Sequence, residues 1–456
     1  MKNKIFLIVV LATFSITILT SCRKFVDVGS PKNQLETTKV FADSASANSA
    51  IVGIYVDMMQ NFGFSFTSGG LTAYPGLSAD ELSQTSNDAD LNQLFSNQIN
   101  VRNTYNQGLW NSAYKFLYDA NACLEGINSS KGISSTAKLM LSGEARQIRA
   151  FILFNLVNLY GSVPVITTTN YRVSQNQGRM PVDSVYNQII KDLKFAQSNL
   201  PKNSIAERAS YYSATALLSK IQLYHKDYQE AESNASTVIN SGNYHLEANL
   251  NDVFLGTSTE AIWKFLPVYP GIETWEGYNF VSSDPNAAPK YVISDALYNS
   301  FEPGDLRKSN WIMVNSVNGK DYPFPYKYKA TTTTGTPTEN YIVVRLSELY
   351  LIRAEARANL NEINAATADL NTIRTRANLP NSLASDKDSL LIYIENERRA
   401  ELFCEWGNRW FDLQRTNRAD AVLKPVKPNW THTDILYPIP DAEIKTNPAL
   451  TQNSGY

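Results

Sequence analysis

Histidine is scarce in this chain. His225, His245 and His432 are the three among 456 residues, far apart and in no HExxH or paired spacing, so zinc sites and His-based triads lack their usual ligands. The chain also has no GxSxG elbow, no Walker loop and no GxGxxG turn, which removes the ordinary supports of acyl transfer and nucleotide chemistry. Cysteine is limited to Cys22, Cys123 and Cys404, too few for a disulfide framework. A bridge between Cys123 and Cys404 would suit an oxidising compartment, but "DANACLEGI" and "ELFCEWGNRW" read as apolar helices where buried free thiols are expected. Charge of one sign is lacking too: 41 basic residues stand against 43 acidic ones, leaving no field for nucleic acid and no polybasic membrane patch. No catalytic residue, cofactor or metal is expected, and no nucleic-acid partner.

Long apolar runs are absent except at the start. Lys2 and Lys4 precede a run from Ile5 to Leu19 of about 15 residues, short of the ~20 that a helix needs to span a bilayer. It ends in Leu19-Thr20-Ser21-Cys22, small residues before a thiol. This pattern predicts a lipoprotein signal peptide over 1–21, cleaved before Cys22, with acyl chains on Cys22 as the membrane anchor and a lipidated tether over 22–45.

What is abundant is helix-forming sequence and aromatics. Helices are predicted over 43–59, 110–127, 137–160, 182–200, 213–224 and 228–241. In "LMLSGEARQIRAFILFNLVNLYGSVP" apolar residues lie nearly all round, so this helix should be buried among others, with Gly161 and Pro164 stopping it near Tyr160. Two segments repeat one spacing: Ser219, Ala231 and Val238 in the first, Ala354, Ala366 and Ile373 in the second. Small residues there would let two antiparallel helices approach closely, as in tetratricopeptide units.

From about Trp263 to Tyr341 the texture changes, with Pro267, Pro270, Pro285, Pro289, Pro303, Pro323, Pro325, Pro337 and "TTTTGTPT". Prolines at this density forbid long helices and predict loops. Aromatic rings on loops suit the flat C–H faces of sugars. Trp275, Tyr278 and Trp311 are therefore the expected stacking platforms, with Tyr269 and Tyr74 as weaker candidates. Asn279, Asp284 and Asn310 are the polar neighbours. Trp110, Trp406 and Trp410 should serve folding only.

Two acidic patterns invite chemistry and are read as structure. Glu397, Glu401 and Glu405 share one helical face, but the arginines alternating with them, Arg398, Arg399, Arg409 and Arg415, should hold them ionised, whereas a general acid needs a raised pKa. Asp88, Asp90 and Asn92 alternate as in calcium loops, yet Gln93 replaces the turn glycine and no closing glutamate follows.

Taken together, "CRKFVDV", "FADSASANSAIVGIY", "WNSAYKFLYDAN", "GEARQIRAFILFNLVNLYGSVPV", "RMPVDSVYNQIIKDLKFAQSNLP", "RLSELYLIRAEA", "ERRAELFCEWGNRWFDLQR" and "LYPIPDAEIKTNPALTQNSGY" resemble the SusD/RagB lipoproteins of Bacteroidota from the anchor to the last residue. The resemblance implies a mainly all-α protein of about four tetratricopeptide-like helix pairs with a loop-rich ligand-binding region. It divides the mature chain into a helical region over 46–260, a variable loop region over 261–340 and a C-terminal region over 341–456. It further implies a surface lipoprotein of the outer membrane, acting as a lid over a SusC-like, TonB-dependent barrel and binding oligosaccharide without chemistry of its own. Peptide capture, as in RagB, and a structural or adhesive surface role are the alternatives.

Overall fold

The structure is a computed structural model and describes residues 37–60 and 63–456. The longer helices of the first half are α1 (Ser44–Gln60), α2 (Gly70–Ser78), α3 (Thr104–Ser129), α4 (Ser135–Tyr160), α5 (Val182–Asn199), α6 (Tyr211–Tyr224) and α7 (Tyr228–Ile239). Local chemistry starts and stops them. Asn103 caps α3 and Ser134 caps α4, while Ser210 and Ser213 form a reciprocal capping box at α6. From Leu141 to Tyr160 every residue of α4 except Arg146 is buried, because α3 and α5 pack on either side of it. Gly161, at φ +70°, ends the helix, and a Cβ there would come within 2.9 Å of Leu436. The tether expected to reach residue 45 gives way earlier: Thr37–Val40 is already helical, and Phe41 packs against Gly126.

Each helix from α3 to α7 packs on its predecessor. The chain then leaves this stack, and α7 is covered by α8 (Leu346–Asn359), which arrives only after a long excursion. α9 (Ile363–Arg376) and α10 (Lys387–Leu402) continue the stack, and α11 (Asn408–Arg415) follows. The repeated positions Ser219, Ala231, Val238, Ala354, Ala366 and Ile373 are all fully buried where α6 meets α7 and α8 meets α9. The two turns match as well, with Lys226 at φ +68° and Asn361 at φ +63°.

The excursion contains more regular structure than its prolines predict. β1 (Leu82–Gln84), from the first half, pairs with β3 (Tyr291–Ile293); β2 (Ala261–Phe265) pairs with β6 (Tyr341–Arg345); β4 (Ile312–Val317) pairs with β5 (Lys320–Pro325), all antiparallel. The β2–β6 pair ties the two ends of the excursion together beside the helical stack. The β4–β5 hairpin turns on Asn318 and Gly319, both at positive φ, the conformation that suits a two-residue hairpin. Pro323 and Pro325 lie inside β5, opposite Val314 and Ile312. A two-stranded ribbon tolerates them because both of its strands are edges, where a missing N–H leaves no ladder unfilled.

Candidate functional site

Trp275, Trp311 and Tyr74, three of the rings expected as platforms, are buried. Trp311 donates its Nε1–H to the Leu250 carbonyl at 2.9 Å and packs against Phe254 and Phe403, with the Lys327 ammonium 4.7 Å from its ring centre. Tyr74 sits in α2 against Tyr105 and donates to the Phe64 carbonyl at 3.4 Å. These rings offer no open face to a sugar. A ring on a loop is exposed only if the loop stands away from the scaffold, and here the excursion folds back, burying its largest apolar surfaces. Trp110, Trp406 and Trp410 are buried as well.

Two of the five candidates keep accessible faces, and both lean on Trp275. Tyr278 is 43% exposed and meets the Trp275 ring edge-on at 5.4 Å; Tyr269 is half-buried, with its centroid 5.2 Å from the same ring. Trp275 is thus the pedestal of a three-ring cluster. The short helix Trp275–Phe280 that carries it is capped by Thr274, whose Oγ1 accepts the Gly277 N–H at 3.0 Å. Gly277 is required by close approach, since a Cβ would fall 2.3 Å from the Ala330 carbonyl oxygen. Phe280 wedges against Phe64 and Tyr291, fixing the helix beside β3. Glu276 turns inward to accept from Thr72 at 3.1 Å, and burial pushes its carboxyl up to about 7.

The polar neighbours chosen from sequence serve local structure. Asn279 donates to the Trp275 carbonyl, Asp284 accepts from the Asn286 N–H, and Asn310 donates to the Leu306 carbonyl. Other polar groups converge instead on a cleft of about 490 Å³ between the β1–β3 pair and β5, lined by Ser83, Gln84, Thr85, Asp295, Asp321 and Tyr322. Deeper in it, Lys427 donates to the carbonyls of Leu77 and Phe95, and burial lowers its ammonium to about 7. These residues come from four separate stretches of chain, and only Tyr322 carried a signal in the sequence, as an aromatic of the proline-rich stretch. The ring cluster and the cleft both border β3.

The expected acidic face is a buried ion-pair skeleton, but only Glu397 and Glu401 lie on α10; the helix ends at Leu402, so Glu405 joins the skeleton from the turn that follows. Arg307 bridges Glu397 at 2.6 Å and Glu401 at 3.1 Å; Arg345 reaches Glu401 and Glu405; Arg376 joins Glu401 to Glu260. Burial opposes ionisation of Glu401, yet Arg376, Arg345 and Arg307 together hold its carboxyl well below the usual range. Glu405 is lowered too, against burial, by Arg345 and Lys327, whereas burial outweighs Arg307 and Arg374 at Glu397 and raises it. The partners are not the arginines that alternate with these glutamates: Arg398 pairs with Asp412, while Arg399 and Arg409 clasp Asp80. On a helix, neighbours in sequence point to different faces.

Asp88 caps the helix Ala89–Ser96, accepting the N–H groups of Asp90 and Leu91, so the alternating acids form a helix start and not a calcium loop. Cys123 and Cys404 are buried and free, and burial pushes the Cys123 thiol up to about 12. Among the described residues no group of three or more His, Cys, Asp or Glu side chains is arranged to hold a metal, and no helix is long and apolar enough to cross a membrane. The signal segment and Cys22 lie outside the described residues.

The fold is thus a helical stack with an inserted, partly stranded region that presents rings and polar groups. Two sequence models of one family match the chain: "Starch-binding associating with outer membrane" over residues 24–223 and "SusD family" over residues 274–429. The chain belongs to the SusD family. It is 25% identical to the SusD-like protein P38 of Formosa agariphila, over 80% of this chain and 83% of that one. The crystal structure of a SusD superfamily protein from Bacteroides vulgatus superposes with a TM-score of 0.82 at 21% identity, covering 91% of this chain and 99% of the other. A laminarin-binding SusD-like protein superposes with a TM-score of 0.74 at 25% identity, covering 90% and 99%.

Proposed function

We propose that the protein is a surface lipoprotein, anchored through Cys22, that captures an oligosaccharide and passes it to a SusC-like, TonB-dependent barrel without catalysing a reaction. The observation that carries this reading is the pair of accessible tyrosines, Tyr269 and Tyr278, held on buried Trp275 in the excursion of a SusD-family scaffold. Tyrosine rings supply the apolar face that a pyranose packs against, and the cleft that borders the same strand, β3, holds hydroxyl, amide and carboxylate groups for further units of a longer glycan. The starch-binding description of the family and the laminarin-binding neighbour support a glucan as the first ligand to test. Trp275 acts beneath the site as a pedestal, and Trp311 and Tyr74 act in the scaffold.

Calorimetric titration of maltoheptaose and of laminarin oligosaccharides against the parent, Tyr278→Ala and Tyr269→Ala tests the site. Each substitution should weaken binding by about 1 kcal/mol, the worth of one aromatic contact with its buried area. Parent-like affinity in both variants would show that the ligand sits elsewhere.

A further inference from the structure

A second set of accessible rings lies outside the excursion. Trp110, Tyr114 and Tyr118 follow at intervals of four along one face of α3. Such a stripe usually stays in the core, but this one runs out of it. Trp110 is buried, Tyr114 is half-buried with its ring 4.7 Å from Trp110, and Tyr118 is 54% exposed. Across from them Tyr171 is 64% exposed. Pro164, Ile166 and Leu450 complete the apolar floor of a groove of about 320 Å³.

The groove is built and not a gap between mobile pieces. The Tyr114 hydroxyl donates to the Pro164 carbonyl at 3.0 Å. Glu125 accepts from the Thr168 hydroxyl and from the Thr169 N–H, clamping the rim to α3. Asn447 donates to the Gln177 carbonyl at 3.0 Å, joining the C-terminal segment to the other rim.

We infer that this groove is a second carbohydrate site, taking one or two neutral sugar rings of the same glycan class as the site proposed above, on which reading it rests. Its chemistry selects the occupant. The lining holds no lysine, arginine or histidine; Glu443 is its one carboxylate, and the nearby Arg172 guanidinium is engaged with Tyr171, donating to its hydroxyl at 3.4 Å, so the lining favours a neutral ligand. The exposed apolar surface is tyrosine, whose faces stack on C–H groups while the hydroxyls stay wet. Threonine, glutamine and asparagine line the edge, where sugar hydroxyls would lie. A volume near 320 Å³ is at the low end of small-molecule sites. Two separated sites on one chain would let a long glycan bind at two points, raising its effective affinity through tethering.

Native gel electrophoresis through laminarin or soluble starch tests this with the full chain. The parent, Tyr118→Ala/Tyr171→Ala, Tyr269→Ala/Tyr278→Ala and the fourfold variant are compared, each first shown to melt like the parent. The inference expects Tyr118→Ala/Tyr171→Ala to lose at least half of the parent's retardation, and the fourfold variant to run as in a gel without polysaccharide. If Tyr118→Ala/Tyr171→Ala is retarded like the parent, the second site is overturned and the glycan reading stands; a groove that serves a peptide or a protein surface gives this result. If Tyr269→Ala/Tyr278→Ala is retarded like the parent while Tyr118→Ala/Tyr171→Ala is not, the groove stands and the first site falls. If neither polysaccharide retards the parent, both fall.

Discussion

Buried carboxylates in this protein are separated in titration by what surrounds them. Burial pushes Glu81 up to about 8, and neighbouring Asp80 adds to the shift. A buried acid with a raised pKa contributes stability below the ordinary carboxylate range, and that contribution is lost as pH rises toward 8. Glu81→Gln keeps an acceptor for the Cys404 N–H and removes the titration. Thermal melts should therefore show the variant gaining on the parent from pH 5 to pH 8, with no further gain above; a pH-independent difference would refute the assignment. Glu401 is the opposite case. Its depressed carboxyl contributes stability above the ordinary range, and that stability is lost as pH falls. Glu401→Gln removes the one carboxylate that Arg345, Arg376 and Arg307 share and leaves three buried cations to their remaining partners, so it should cost about 3 kcal/mol at pH 7 by denaturant unfolding. The deficit should shrink below about pH 4, where the parent's own carboxylates begin to protonate.

At the scale of elements, the two repeat units are equivalent to the residue, including the left-handed position in the turn. Asparagine occupies it in one and lysine in the other. Asparagine tolerates this conformation far better than a long side chain does. Lys226→Asn should thus stabilise the protein by about 0.5 kcal/mol and Lys226→Val destabilise it by about 1–2 kcal/mol. Equal melting temperatures for the two variants would mean that the turn adapts freely. The repeat spacing and most helix boundaries were legible because 3.6-residue periodicity, small residues and caps are local signals; α3, which begins at Thr104 and not at the expected 110, is the exception. The strands were not. β1 pairs with a partner far along the chain, and β5 carries two prolines that argue against a strand when its partner is unknown.

On the proposed function, the lipid on Cys22 holds the whole molecule at the outer membrane. Cys22→Ser should abolish metabolic acyl labelling and shift the protein out of the outer-membrane fraction. The parent, extracted in mild detergent, should bring a barrel of the SusC type with it. Outer-membrane retention of the unacylated variant would refute the anchor.

Much of this protein could be read before its fold was known. The helical class, the repeat units and the family all rest on local patterns or on the order of blocks along the chain. The tertiary structure decided which rings face solvent. Tyr278 and Trp275 are three residues apart on one short helix, yet one is half-exposed and the other is a buried pedestal. Composition and periodicity do not distinguish them, because exposure depends on what the excursion folds against. The same holds for the acid face of α10, whose residues were visible while its partners, Arg307, Arg345 and Arg376, come from distant segments. Tyr118 and Tyr171 make the point from the other side. A helical stripe promises burial, and only packing reveals that this one runs into the open at Tyr118, midway along α3, while the end of the helix is buried again at Leu124 and Ile127.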